Sequence, residues 1–481
     1  MKRIAVVGGG MAGVAAAYEL ARCAREGAEL EVVLFERSLR LGGIVETVRE
    51  GGYVIECGPD GWVTEKPWAL ELARELGLDD EILGSNDDQR KTYVLVGASS
   101  EHAGTLQVMP DGMRMMVPMD LEALEASPLF SAEAKRAYRG EVERAEQLKA
   151  AVPESDESVA SFVRRHFGDE VLEKLGAPLL SGVFGGDVAT LSVRAVMAPF
   201  VAMEREYGSL IMGLQRRGEK QQGAKSTVFT SLRSGTATLV ERMVATIPPE
   251  WIRLGATVRT IARDGQRWTV GCSEGEQCRG SDRFDAVMLA APVDVARSLM
   301  ERVSAEAAAL MTMEASSAVV VAFGFPDATK VPVPAGFGFL VPPVSSVGSS
   351  GRAGSMLLAA TFVDQKYDCR VPTGGRLLRA FFGGAAAERL MGCGNDEIAA
   401  LARMALARIL GPLPDAEVTV VRRWPRSLPQ YAVGHLERMA KLDELLDELP
   451  GLYLLGNGYR GVGLPDLIRD GRQAVRAYVR G

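Results

Sequence analysis

Histidine and cysteine are scarce in this chain. Three histidines and six cysteines (Cys23, Cys57, Cys272, Cys278, Cys369 and Cys393) are spread over 481 residues, with no C-x-x-C pair. A structural zinc site draws its ligands from closely spaced pairs, so no metal is expected. Thiols this sparse fit free cysteines in a reducing cytoplasm better than a disulfide scaffold. A long apolar run is also lacking, because Glu306 and Glu314 interrupt the best candidate at residues 303–325. That disfavours a membrane span and leaves peripheral membrane contact open. The net charge of −7 has no basic block behind it, which argues against a nucleic-acid partner. The short pairs Arg216-Arg217 and Arg422-Arg423 read as solvated faces. There is no repeat; the Ser/Gly-rich stretch 343–354 reads as a loop and 218–226 as a hinge.

Hydrophobic residues make up 47% of the chain. A chain of this length exceeds what one core usually serves, so two or three domains are expected. Met1-Lys2-Arg3 and the apolar stretch after it superficially copy a secretory signal, but three successive glycines break it. Strand, tight turn and helix is the better reading: residues 4–7, then Gly8-Gly9-Gly10-Met11-Ala12-Gly13, then 14–22. In this G-x-G-x-x-G context Gly8 permits the turn, Gly10 lets the backbone approach a pyrophosphate, and Gly13 lets the helix pack on the strand. A second strand, 30–35, ends in Glu36, where a carboxylate accepts hydrogen bonds from a ribose diol and disfavours a 2′-phosphate.

The other end of the chain offers a matching piece. Residues 452–455 read as a strand, followed by Gly456-Asn457-Gly458-Tyr459-Arg460-Gly461-Val462-Gly463-Leu464 and a helix from about Pro465. Residues 257–261 and 286–292 read as further strands. Residues 105–200 lack strand alternation and carry helical stretches at 133–150 and 159–167. Strands at 318–325, 337–341 and 376–382, with a helix at 396–410, predict a mixed sheet.

Glu36-Arg37-Ser38-Leu39-Arg40-Leu41-Gly42-Gly43, followed by Glu56-Cys57-Gly58-Pro59-Asp60-Gly61, resembles the flavin amine oxidase and desaturase superfamily. The resemblance implies FAD, with E-x-x-x-R-x-G-G continuing the surface towards the pyrophosphate and the turn at 58–61 approaching the flavin. It places Val258 beside the adenine and Trp424 against FAD. It also puts the amides of Val462, Gly463 and Leu464 beside the flavin pyrimidine, where a helix N-terminus stabilises negative charge by roughly 0.3–2 kcal/mol. The implied fold is α/β: a discontinuous FAD-binding Rossmann-type domain (1–80, 225–295, 415–481), a mixed-sheet substrate domain (81–104, 201–224, 296–414) and a helical subdomain (105–200).

Within that superfamily the chain is most similar to the oxygen-dependent protoporphyrinogen and coproporphyrinogen III oxidases. The segments that carry this are Ser181-Gly182-Val183-Phe184-Gly185-Gly186-Asp187, Gly336-Phe337-Gly338-Phe339-Leu340-Val341-Pro342, and Arg423-Trp424-Pro425 with Leu428-Pro429-Gln430-Tyr431 and Gly434-His435-Leu436-Glu437-Arg438. The resemblance implies six-electron aromatisation of a porphyrinogen, with oxygen as acceptor and hydrogen peroxide released, and no catalytic side chain beyond the flavin. Candidate substrate contacts are Gly182, Leu358 and Phe381, the last two equally readable as core. Lys91, one position from Arg90, matches the place of a propionate-binding arginine. Lysine there, with Met109-Pro110-Asp111-Gly112, is more similar to the Gram-positive type known for coproporphyrinogen III. A flavin amine oxidase, a carotenoid-type desaturase and a non-catalytic FAD-containing porphyrin-binding protein stay open, as does a homodimer. No cysteine follows Cys393, which argues against a covalently held flavin. His166 and His435 are expected to be structural, and His102 falls in an apparent loop.

Overall fold

A computed structural model describes residues 1–97, 104–220, 227–273, 281–342 and 357–480. The loop expected at 343–354, His102, Cys278 and most of the hinge expected at 218–226 lie outside the described residues.

The strands Ile252–Leu254, Leu30–Glu36, Lys2–Val7, Ala286–Leu289 and Leu452–Leu454 form one parallel sheet in that order. The apolar runs of the three central strands are buried on both faces, as a covered parallel sheet requires, while the edge strand Ile252–Leu254 is only partly covered. Alternate side chains divide accordingly. Ile4, Val6, Val32, Leu34 and Met288 face the helices Met11–Arg25, Ala237–Val244 and Leu464–Arg480. Ala5, Val7, Val33, Phe35 and Leu289 face an antiparallel sheet of Val258–Asp264, Arg267–Cys272 and Ser281–Phe284, with the helices Val293–Met300 and His435–Asp447.

A second sheet of seven strands runs Val418–Pro429, Ala315–Phe325, Arg376–Gly383, Leu357–Phe362, Gly338–Leu340, Thr92–Val96, Thr105–Val108. Only the pair Gly338–Leu340 and Thr92–Val96 is parallel. One face packs on the helix Asn395–Leu410 through Leu378, Ala380, Phe382, Leu357, Ala360 and Phe362. A third core gathers the helices Ala132–Glu143, Val159–Phe167, Ala198–Tyr207 and Leu210–Lys220 around Tyr138, Phe162, Phe200 and Ile211.

Several elements differ from the sequence reading. Val418–Pro429, placed with the nucleotide fold, is the edge strand of the mixed sheet, because its alternating valines pair with Ala315–Phe325. Thr105–Val108 is a strand against Thr92–Val96, outside the helical run expected from residue 105. The helix expected at 133–150 is two, Ala132–Glu143 and Ala145–Ala150, parted at Arg144, whose φ of −91° and ψ of 12° leave the helical region. Cys23, Cys57, Cys369 and Cys393 are free thiols, whereas Cys272 is disulfide-bonded, against the expectation of free cysteines. Among the described residues no helix is long and apolar enough to cross a membrane, and no cluster of metal-ligating side chains occurs.

Candidate functional site

The first strand must stop abruptly for the chain to reverse into the helix Met11–Arg25. Gly8 does this at φ +106°, where a Cβ would stand 2.5 Å from the carbonyl oxygen of Ala290. Gly10, two residues on, faces open space: a Cβ there would meet nothing within 4 Å. The helix that follows has no side-chain cap and no acid in its first turn. Its free N–H groups and dipole therefore suit an anion. The first-turn residues Met11 and Ala12 line a cavity of about 450 Å³.

That cavity is the meeting place of segments far apart in sequence. Gly42 donates its N–H to the carbonyl of Gly9 at 2.7 Å, which brings the Arg37 to Gly43 stretch onto the glycine turn. Glu36 lies at the wall with one carboxylate oxygen accepting from the Gly9 N–H (2.7 Å) and the other from Ser38 (2.8 Å). Gly8, Gly10, Met11, Ala12, Glu36, Arg37, Arg40, Gly42, Gly43, Val258 and Trp424, all foreseen from sequence, line it together. Gly9 and Gly13 shape the turn behind it. Trp424 donates its indole N–H to the Cys57 carbonyl at 2.7 Å, and Arg40 lies 5.9 Å over its ring. Arg422, read as a solvated charge, instead pairs with Glu46 at 2.7 Å.

Other foreseen residues stand outside that lining. Gly58 packs behind Ile44, which does line the cavity: a Cβ on Gly58 would come 2.0 Å from the Ile44 carbonyl oxygen. The Pro59 carbonyl accepts from the Thr236 hydroxyl, Asp60 turns its carboxylate to Lys366 and Arg379, and Gly61 abuts Tyr367. Val462, Gly463 and Leu464 open the helix Leu464–Arg480, while Gly456 and Asn457, five to eight residues earlier, reach the cavity. Arg90 and Lys91 are exposed just before the strand Thr92–Val96. Phe381 sits opposite Ala359 beside the irregularity at Leu358, on the face of the mixed sheet turned away from Asn395–Leu410. The helix Ala177–Phe184 passes over these strands, and Gly182 in it faces open space.

Sequence reasoning missed Asp294 and Arg426, which pair at 3.1 Å in the cavity wall. Arg426 carries a positive φ of 47°, a backbone signal that composition does not encode. Thr257 and Arg259 were missed as well, although the strand at 257–261 was recognised, and Ala256, just before it, was also missed. Cys57 is no nucleophile: burial pushes its thiol up to about 11.

An open glycine cradle at an uncapped helix start, a carboxylate at the end of the second strand and a long groove fit FAD. The resemblance would put Glu36 and Val258 at its adenosine end, Gly42 and Gly43 towards its pyrophosphate, and the turn at 58–61 towards its flavin.

Known proteins agree. The chain is 32% identical over 482 residues to the coproporphyrinogen III oxidase of Bacillus subtilis (strain 168), covering 98% of this chain and 97% of that one. It is 26% identical to the coproporphyrinogen III oxidase of Staphylococcus aureus, with 99% of each chain covered. A crystal structure from Exiguobacterium sp. 255-15, assigned as a protoporphyrinogen oxidase, superposes with a TM-score of 0.82 at 29% identity, covering 100% of this chain and 99% of that one. Cyclohexylamine oxidase from Brevibacterium oxydans IH-35A shares the fold, with a TM-score of 0.67 at 17% identity, 100% of this chain and 99% of that one covered. The profile of flavin containing amine oxidoreductases matches residues 11–478. The chain belongs to that family of flavoenzymes.

Proposed function

We propose that this protein is an FAD-dependent porphyrinogen oxidase of haem biosynthesis, and that its substrate is coproporphyrinogen III. The observation that carries the reading is the end-to-end likeness to coproporphyrinogen III oxidases, with no large segment left over for another activity. The reaction converts one porphyrinogen and three O2 into one porphyrin and three H2O2. Bound FAD supplies the two-electron chemistry.

The protein's own residues bind and orient. In this reading residues 1–80 and 225–295, with the C-terminal segment, hold FAD; the mixed sheet carries the macrocycle, and residues 105–200 cover it. The strand Val418–Pro429 serves both, pairing in the mixed sheet and presenting Trp424 to the cofactor cavity. Phe381 and Leu358 give the macrocycle an aromatic and aliphatic floor, and Gly182 leaves room above it. Lys91 and Arg90 are free of ion-pair partners among the described residues and offer charge to the propionates of a tetracarboxylate.

Anaerobic mixing of the FAD-loaded protein with coproporphyrinogen III or protoporphyrinogen IX tests this, followed by oxygen uptake, peroxide and porphyrin fluorescence. Faster flavin bleaching and turnover with coproporphyrinogen III supports the reading. Preference for protoporphyrinogen IX overturns the substrate, and bleaching by neither, but by amines or polyenes, overturns the activity. Tight porphyrin binding without turnover points to a carrier.

A further inference from the structure

Directly behind the turn at residues 58–61 lies a group of buried charges that the oxidation itself does not use. Asp60 is held between Lys366, with Nζ 3.0 Å from its carboxylate, and Arg379, with Nη1 at 3.3 Å. Arg379 also donates to the Gly58 carbonyl, and its side chain is only 2% exposed. A second pair, Arg370 and Glu56 at 3.1 Å, is fully buried beside it. Ser231 links the two pairs, accepting from Arg370 at 2.6 Å and donating to the Asp60 carbonyl at 2.7 Å. Three cations thus face two carboxylates. The Nε groups of Arg370 and Arg379 and the hydroxyl of Tyr367 are buried without a hydrogen-bond partner among the described residues.

A surplus buried charge is expensive to keep unless it serves something. The turn it grips is one residue from the flavin end of the cavity: Gly58 packs on Ile44, and the neighbouring Cys57 carbonyl takes the indole N–H of the cavity-lining Trp424. Two electrons entering a flavin leave negative charge on it, and fixed positive charge nearby favours that state.

We propose that Lys366 and Arg379, behind the turn at 58–61, act as fixed positive charge towards the flavin end of the cavity and bias the bound flavin towards its anionic reduced form, with Asp60 offsetting part of that charge. Asp60 is the counterweight in this arrangement. Burial alone would raise its carboxyl, but the two cations hold it below the usual carboxylate range, so it stays ionised.

The test is the affinity of FAD-loaded protein for sulfite, which adds to flavins as an anion and reports the local field without porphyrinogen, together with the flavin midpoint potential. Lys366→Gln and Arg379→Gln are expected to weaken sulfite binding about ten-fold and lower the potential by about 30 mV for a two-electron couple. Asp60→Asn is expected to move both the opposite way. That reversal is what loosened packing would not produce, since packing defects shift all three variants in one direction. If Arg379→Gln does not fold, the opposed signs of Lys366→Gln and Asp60→Asn carry the decision. Shifts below two-fold, or shifts of the same sign, overturn the proposal. Because sulfite and potential are read without porphyrinogen, failure here leaves the substrate assignment standing, and the converse also holds.

Discussion

A Cβ on Gly13 would stand 1.9 Å from the Gly8 carbonyl oxygen, which is backbone and has nowhere to go. Gly13→Ala should therefore push the helix Met11–Arg25 off the turn, at about 3 kcal/mol, and yield protein without yellow colour. Flavin content per chain and the thermal midpoint check this. At Glu36 the expected loss is milder. Glu36→Gln keeps the shape but gives up charge-assisted bonding worth about 1.5–3 kcal/mol, so the FAD dissociation constant should rise ~10- to 100-fold. Quenching of free FAD fluorescence measures it, and an unchanged constant would remove Glu36 from the ribose. Phe381→Ala should separate the two halves of the site, raising KM for the porphyrinogen several-fold while the FAD dissociation constant stays put.

At the scale of elements, two buried histidines respond to pH in opposite senses. His435 stacks on Tyr431 at 3.9 Å and donates from Nε2 to the Tyr459 carbonyl at 3.2 Å, so it braces the loop that reaches the cavity at Gly456 and Asn457. Burial pushes it down to about 4 from 6.5. Its contribution is complete above the unfolded value and is lost as pH falls from 6.5 towards 4, about 3 kcal/mol in all. His166 sits between Glu141 at 3.0 Å and Glu204 at 3.1 Å, joining three helices. Burial alone would lower it, but the two carboxylates hold it above its ordinary 6.5. Its contribution is complete below 6.5 and is lost as pH rises through the raised value. His435→Gln should flatten the acid limb of the stability curve, His166→Gln the limb above neutrality; denaturant melts across pH 4–9 distinguish them.

The elements that sequence revealed are those whose cause is local. Gly8 to Gly13, the carboxylate at Glu36 and the apolar runs of the parallel strands follow from steric and burial rules that act within a few residues. What stayed hidden depends on distant partners. Nothing within Val418–Pro429 says that its neighbour is Ala315–Phe325 rather than a nucleotide-fold strand, because both settings bury the same valines. Asp60 was legible as part of a glycine turn, but not as the carboxylate between Lys366 and Arg379, which lie more than 300 residues away. The pairing of Arg426 with Asp294 was hidden for the same reason.

For the molecule as a whole, the cofactor groove is an assembly of both ends. Its wall begins at Val7 and closes at Leu467, with Trp424 arriving from a different sheet. FAD therefore ties two bodies together, and saturating FAD should raise the thermal midpoint and merge the unfolding of both sheets into one transition. A chain cut after residue 450 should fold part of its mixed sheet yet retain no flavin, which absorbance of the purified fragment would report. The order of synthesis adds a constraint. At ~5–20 residues per second, the ribosome completes every strand of the mixed sheet before Gly456, Asn457 and Leu467 exist to close the wall. Loading must be a late event, so each new molecule passes through a colourless interval in which the nucleotide cradle is already made and its far wall has yet to emerge.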